Sequence, residues 1–272
     1  MIVSGQFVPR VFLPILLVIS GFSPHATASP AELSGENIIQ KAVERASSGR
    51  NGPESPGYTY TKVNVTEQFD SKGRVKERKE RRFQVYFRAG TSYVKLLQVD
   101  GHAPAQADVK FQTETQSSVH QFFGQSVSSG DSHDAFLTQE LAARFAYALV
   151  GEVTVNGRRT YQINFQPKSP EPPVRHIADR LLNHISGTLW IDGEEYEIAR
   201  ADIQLGAEVD FLGGVIGCLR KLAYSMTRVR VAEGVWLHSF SSGDFEGRKL
   251  LEPMRIKMKS ECTNFRLMSG SK

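Results

Sequence analysis

Residues 187–200 read GTLWIDGEEYEIAR. Two short runs flank a tight polar turn: Gly187 to Asp192 on one side and Tyr196 to Leu205 on the other, joined through Gly193-Glu194. Leu, Trp, Ile, Tyr and Thr suit a pleated, half-buried surface, and a glycine with an acidic neighbour suits the reversal between two such runs. The stretch predicts an antiparallel hairpin.

The same period of two spreads outward in both directions. Upstream, Asn156-Gly157 joins Phe145–Val155 to a return strand carrying Tyr161, Ile163 and Phe165, a strong hairpin signal. Further upstream, Tyr58 to Phe69 is rich in Tyr, Thr and Val, and Asp70-Ser71-Lys72-Gly73 forms a turn. Arg74 to Arg88 then alternates. Val75, Phe83, Val85 and Phe87 share one parity, while Arg74, Lys76, Arg78, Glu80, Arg82 and Arg88 share the other. Thr91 to Val99 completes a three-stranded meander. Downstream, Arg220–Ala232 and Val235–Phe245 flank Glu233-Gly234, and a last run sets Met254, Ile256, Met258 and Cys262 against Arg255, Lys257, Lys259 and Glu261. Short links make every neighbouring pair antiparallel. The expected fold is mainly β (α+β): a single curved antiparallel sheet, or incomplete β-barrel, of about 10–11 strands.

Helices are few. Ser34 is an N-cap, Glu36 lies in the first turn, and Ile38, Ile39, Ala42, Val43 and Ala46 form one apolar stripe. Residues 100–133 form a polar excursion with a short helix expected near Ala105 to Thr115; Asp134 to Leu141 reads as another helix, and Pro-rich residues 167–186 form a second excursion. A sheet with one apolar face must cover it, so the N-terminal helix and the excursions are its expected lid.

The 272 residues are 40% hydrophobic and 23% charged, which excludes a disordered chain and a disulfide mini-scaffold. Residues 1–28 read as a cleaved secretory signal: Arg10, the apolar run Val11 to Phe22, then Ala26-Thr27-Ala28. That apolar run is too short to span a bilayer, which needs ~20 residues. Residues 29–272 are then one domain. Its net charge of +3, after Arg10 is removed from the chain's +4, is weak as a nucleic-acid signal, and none is expected as a partner.

No chemistry stands out. Gly130-Asp131-Ser132-His133-Asp134 invites a hydrolase reading, but the motif sits in a polar loop with no Asp-x-x-His downstream, so no catalytic residue is assigned. His102, His120, His133, His176, His184 and His238 show no ligand spacing; no metal and no cofactor are expected. Cys218 and Cys262 are the only cysteines, a candidate disulfide in an exported protein whose separation the sequence leaves open. Phe211, Leu212, Val215 and Ile216, interrupted by glycines, form an apolar loop that would gate a cavity or touch a membrane.

The Trp190-Ile191-Asp192 hairpin with Ile198-x-Arg200 resembles the central hairpin of LolA/LolB-like proteins, the periplasmic lipoprotein-carrier superfamily that includes RseB-type sensors. Val235-Trp236-Leu237 after an acidic residue and glycine is similar to that superfamily's closing strands, and the order of parts agrees over most of the mature chain. The excursions are longer than in the well-known carriers. The resemblance implies an open β-barrel with a helical lid, located in the periplasm of a Gram-negative bacterium. It implies a non-catalytic carrier for lipid or lipoprotein acyl chains, with peripheral membrane contact. The alternative is an RseB-like sensor with an envelope protein partner. Alternation picks Tyr60, Phe87, Tyr147, Phe165, Trp190 and Trp236 as the cavity lining.

Overall fold

The computed structural model describes residues 33–48, 57–88, 91–106, 137–175, 177–211, 217–249 and 252–268. The signal segment, the hydrolase-like motif at 130–134, and residues 212–216 of the apolar loop lie outside them.

Eleven strands form one antiparallel sheet: β1 (Tyr58–Phe69), β2 (Val75–Arg88), β3 (Thr91–Val99), β4 (Phe145–Val155), β5 (Arg158–Pro167), β6 (Ile185–Asp192), β7 (Ile198–Leu205), β8 (Val209–Phe211), β9 (Gly217–Ala232), β10 (Val235–Lys249) and β11 (Glu252–Leu267). Their order is β3-β2-β1-β11-β10-β9-β7-β6-β5-β4. The first and last strands of the chain are neighbours, and the sheet ends on β3 and β4 without closing. β8 pairs with the start of β9 and β7 with its middle, so β8 continues the path of β7 beyond a bend at Gly206–Glu208. At the β4–β5 turn Asn156 and Gly157 both have positive φ, 51° and 77°, as the Asn-Gly pair requires.

Among the described residues there are three α-helices: α1 (Gly35–Ser47), α2 (Gln139–Ala142) and α3 (Ile177–Leu182). Ser34 caps α1, its Oγ accepting from the Asn37 N–H at 3.2 Å. Ile38, Ile39, Ala42 and Val43 are buried, but Ala46 is exposed, so the apolar stripe stops one turn early. The helix start lies close on β4: a Cβ added at Gly35 would meet the Tyr147 carbonyl oxygen at 2.9 Å. The Pro-rich excursion, read as loop, contains α3. Arg144 fastens it, with Asp179 at 3.2 Å and Asn183 Oδ1 at 2.8 Å.

One face of the sheet is the core face. Ile163, Leu189, Ala201 and Met226 are cross-strand neighbours on β5, β6, β7 and β9, and all are buried beneath α1 in one cluster. A second cluster joins Tyr58, Tyr60, Phe83, Val85 and Leu96 to Val235, Leu237 and Cys262. Between the two, the register carries a polar row on the same side: Ser241, Ser260 and Asn64.

The hairpin after β6 holds the sheet end together through three carboxylates. Asp192 is fully buried and accepts Arg158 Nε at 2.7 Å and Nη2 at 3.0 Å, with the N–H groups of Glu194 and Glu195 at 3.1 and 2.8 Å. Burial raises its pKa, but the guanidinium and the two amides outweigh burial and hold it below the usual range. Glu195 accepts the Trp236 indole N–H at 2.6 Å, Arg230 at 2.7 Å and the Gly234 N–H at 3.2 Å. Glu197 takes Arg228 at 2.7 Å and Arg45 of α1 at 2.9 Å.

Cys218 and Cys262 are both buried and free, which corrects the disulfide expectation. Cys218 lies opposite Arg248, which lies opposite Pro253; Cys262 is nine residues further along β11, about 30 Å at strand rise. A bridge needs Cα atoms within about 7 Å.

Two outcomes are expected. Asp192→Ala leaves Arg158 without its main partner and unfolds at lower urea, with a loss of about 3 kcal/mol read from the midpoint. His238 is pushed down to about 4 by burial, with Lys62 and Arg228 adding repulsion. Its proton is therefore taken up first by the unfolded chain. Stability is full above pH ~6.5 and falls as pH drops toward 4, at about 1.4 kcal/mol per unit from this group. His238→Gln flattens that part of the urea-midpoint profile; an unchanged slope refutes the assignment.

Candidate functional site

A hollow of about 880 Å³ crosses seven adjacent strands from Arg78 on β2 to Thr188 on β6. Register places it on the face opposite α1. Thr188, Asp202, Ser225, Ser242, Lys259 and Val65 follow one another across β6, β7, β9, β10, β11 and β1, one residue out of phase with the core row. A parallel row runs Gln204, Ala223, Asp244, Lys257, Glu67, Arg78. Small side chains at Thr188, Ala223, Ser225 and Ser242 leave space between these rows. At strand spacing of ~4.8 Å the groove is about 29 Å long.

Its charges are ordered. Arg200 Nη2 donates to Asp202 Oδ2 at 2.6 Å and the guanidinium Cζ lies 4.6 Å from the Trp190 ring centroid, while Ser225 Oγ donates to Asp202 Oδ1 at 2.6 Å. Lys221 pairs with Asp244 at 2.8 Å, and that carboxylate raises the lysine pKa. Asp244 Oδ1 is buried and accepts no hydrogen bond. Lys259 Nζ lies 5.6 Å from the Phe240 ring, and Lys257 Nζ 5.6 Å from the Phe69 ring.

The six residues picked from alternation are not brought together. Tyr60 belongs to the second core, 5.2 Å from the Phe265 ring. Phe165 is in the first core, edge-on to Phe145 at 5.3 Å. Tyr147 packs against that core and donates its hydroxyl to the Ala142 carbonyl at 3.2 Å; burial above all, and then Glu36, pushes its pKa up. Trp236 is buried with its N–H on Glu195. Trp190 sits between buried Leu189 and Ile191, so it faces the other way, under Arg200. The side chain of Phe87 lies outside the described residues, as does that of Phe211, with Leu212, Val215 and Ile216. None of the described picks lines the groove.

Sequence reading places Arg78, Lys257 and Lys259 on the charged parity of their strands and assigns no binding role to the groove residues. The available signal was size: the adjacent strands β9 and β10 place Ala223, Ser225 and Ser242 on the polar parity where Lys, Glu or Arg is usual. Glu208, Asp210 and Cys218 bring three donor atoms within 4.8 Å of one another, two of them exposed, and no fourth ligand joins them among the described residues.

No family model matches the chain, and no curated protein does. Similar solved structures include an outer membrane lipoprotein-sorting protein domain from Vibrio parahaemolyticus, at 10% identity and TM-score 0.39, covering 88% of this chain and 94% of that one. The LolA superfamily protein NE2245 from Nitrosomonas europaea gives 10% and 0.32, covering 88% and 95%. MucB, solved in complex with MucA(peri), gives 10% and 0.26, covering 87% and 99%.

Proposed function

We propose that the chain is an exported, non-catalytic binding protein of the bacterial envelope, and that its ligand is an extended polypeptide segment laid across the sheet in the groove opposite α1. The observation that carries this reading is the division of labour between the two faces. Four of the six side chains first picked for an acyl cavity, Tyr60, Tyr147, Phe165 and Trp236, are packed into two cores or tied into the Trp236–Glu195 network. The open hollow instead offers hydrogen-bonding and charged groups along about 29 Å, which matches roughly nine residues of extended chain. A bound polypeptide has N–H and C=O groups to answer such a lining; an acyl chain has none.

One further point favours binding without reaction. Ser225 gives its hydroxyl hydrogen to Asp202, and no histidine stands beside it among the described groove residues. The secretory pattern at residues 1–28 supports the location in the periplasm.

Site-specific photocrosslinking in the native cell tests the reading. A benzophenone side chain at Ser242, inside the groove, is expected to give a discrete protein adduct that maps to one linear segment. The same group at Gln40, exposed on α1, is expected to give none. A lipid-sized mass increase at Ser242 supports the carrier reading instead, and equal or absent labelling at the two positions overturns both.

A further inference from the structure

The chain's charge is unevenly spread over the sheet. Residues 57–88 and 252–268, which hold the adjacent strands β2, β1 and β11, carry 13 Lys and Arg against 6 Asp and Glu. The rest of the chain carries 20 against 23. A surplus of +7 on one side and −3 elsewhere gives the total of +4. The groove begins on the cationic strands and runs off them.

Within it, one ammonium group has no carboxylate partner among the described residues and a second has only an exposed one. Lys257 stands in register between Asp244 and Glu67, the arrangement that normally makes a cross-strand ion pair. Neither carboxylate takes it. Asp244 is held by Lys221 at 2.8 Å, and Glu67 faces Arg78 at 3.7 Å. Lys257 has no carboxylate within 4 Å among the described residues; its neighbour is the Phe69 ring. Lys259, two residues on, lies between Ser242 and Val65, and its contact with Glu261 at 3.4 Å joins two side chains that are each more than half exposed. Such a pair is worth little in water. The two lysines are about 7 Å apart along β11 and stand on the two rows that bound the groove.

From this geometry, and resting on the polypeptide reading above, we propose that the segment bound in the groove is acidic, with a carboxylate side chain seated between Lys257 and Lys259. An extended polypeptide presents such a carboxylate on a side chain at a fixed spacing along its backbone. An anionic bilayer supplies the charge but is flat, and its headgroups do not follow a groove floor inside a sheet. Long-range attraction from the +7 strands also steers an acidic partner in the correct orientation, an effect that salt weakens.

The test uses three fluorescein-labelled decapeptides with Glu, Gln or Lys at the same four alternate positions, titrated by anisotropy against the full mature chain at low and physiological salt. The Glu peptide is expected to bind about ten-fold or more tightly than the Gln peptide, the Lys peptide weakest, with the preference shrinking as salt rises. K257E/K259E is expected to abolish the preference, while K76E/R266E, which alters the same strands outside the groove, keeps it. Circular dichroism and the urea midpoint confirm that both variants fold. Equal affinity for Glu and Gln peptides overturns the acidic assignment and leaves the groove reading standing. Binding of none of the three, with no crosslink at Ser242, overturns both. Sedimentation with phosphatidylglycerol vesicles that is lost in K257E/K259E, without peptide binding, assigns the lysines to lipid and overturns the proposal.

Discussion

A strand has two faces, and an unbroken antiparallel register commits every strand it crosses to the same choice between them. Here one row, Ile163–Leu189–Ala201–Met226, fixes which side of β5, β6, β7 and β9 is dry. The neighbouring row, Thr188–Asp202–Ser225–Ser242–Lys259–Val65, must then face out. The polar groove is the necessary complement of the core, since a sheet this large cannot bury both faces without a second layer. A cavity lined by alternate apolar residues and a core built from them draw on the same side chains, and the core takes them.

The register alone does not hold α1 in place or fix the end of the sheet. That task falls to a six-residue stretch, Asp192 to Glu197, three of whose four carboxylates, Asp192, Glu195 and Glu197, each bridge different elements. Asp192 binds β5, Glu195 binds the β9–β10 turn, and Glu197 joins β9 to the helix. Each is compensated by an arginine and by further donors, the condition under which buried charge is tolerated. Arg228 adds a bond to the Trp236 carbonyl at 3.0 Å, so even the guanidiniums are shared between elements.

Most of the strands were legible in the sequence because the chain writes them with a period of two and punctuates them with turn residues. Phe145–Val155 and Thr91–Val99 are read to the residue, and Ser34 as the cap of α1 needs only local chemistry. What the sequence does not carry is long-range. Nothing local says that β1 lies beside β11, nor that two cysteines on strands β9 and β11 are some nine residues out of step. Trp190 shows the same limit at short range. Its hairpin is plain, but which of Trp190 and its neighbours turns inward depends on Leu189 and Ile191 both being claimed by the core. The final run, Met254 to Cys262, alternates more clearly than any other, yet Met258 is 41% exposed; with Ser260 on the same parity, this part of β11 lies over the gap between the two cores. The groove was missed because its signal is small size within a polar parity, and pattern reading scores polarity.

Gly187 and Gly243 are counted among the groove residues, yet neither has a side chain to offer a ligand. Their significance is on the far side. A Cβ at Gly187 would run into the Asp202 carbonyl and the Phe165 ring, and one at Gly243 into the Phe245 ring. At these two points the wall between water and core is a single peptide plane thick, with an aromatic ring close against its back. A scan of the groove by alanine substitution would therefore record losses at both positions that have nothing to do with recognition. Those losses would report the displacement of a phenylalanine that no ligand touches.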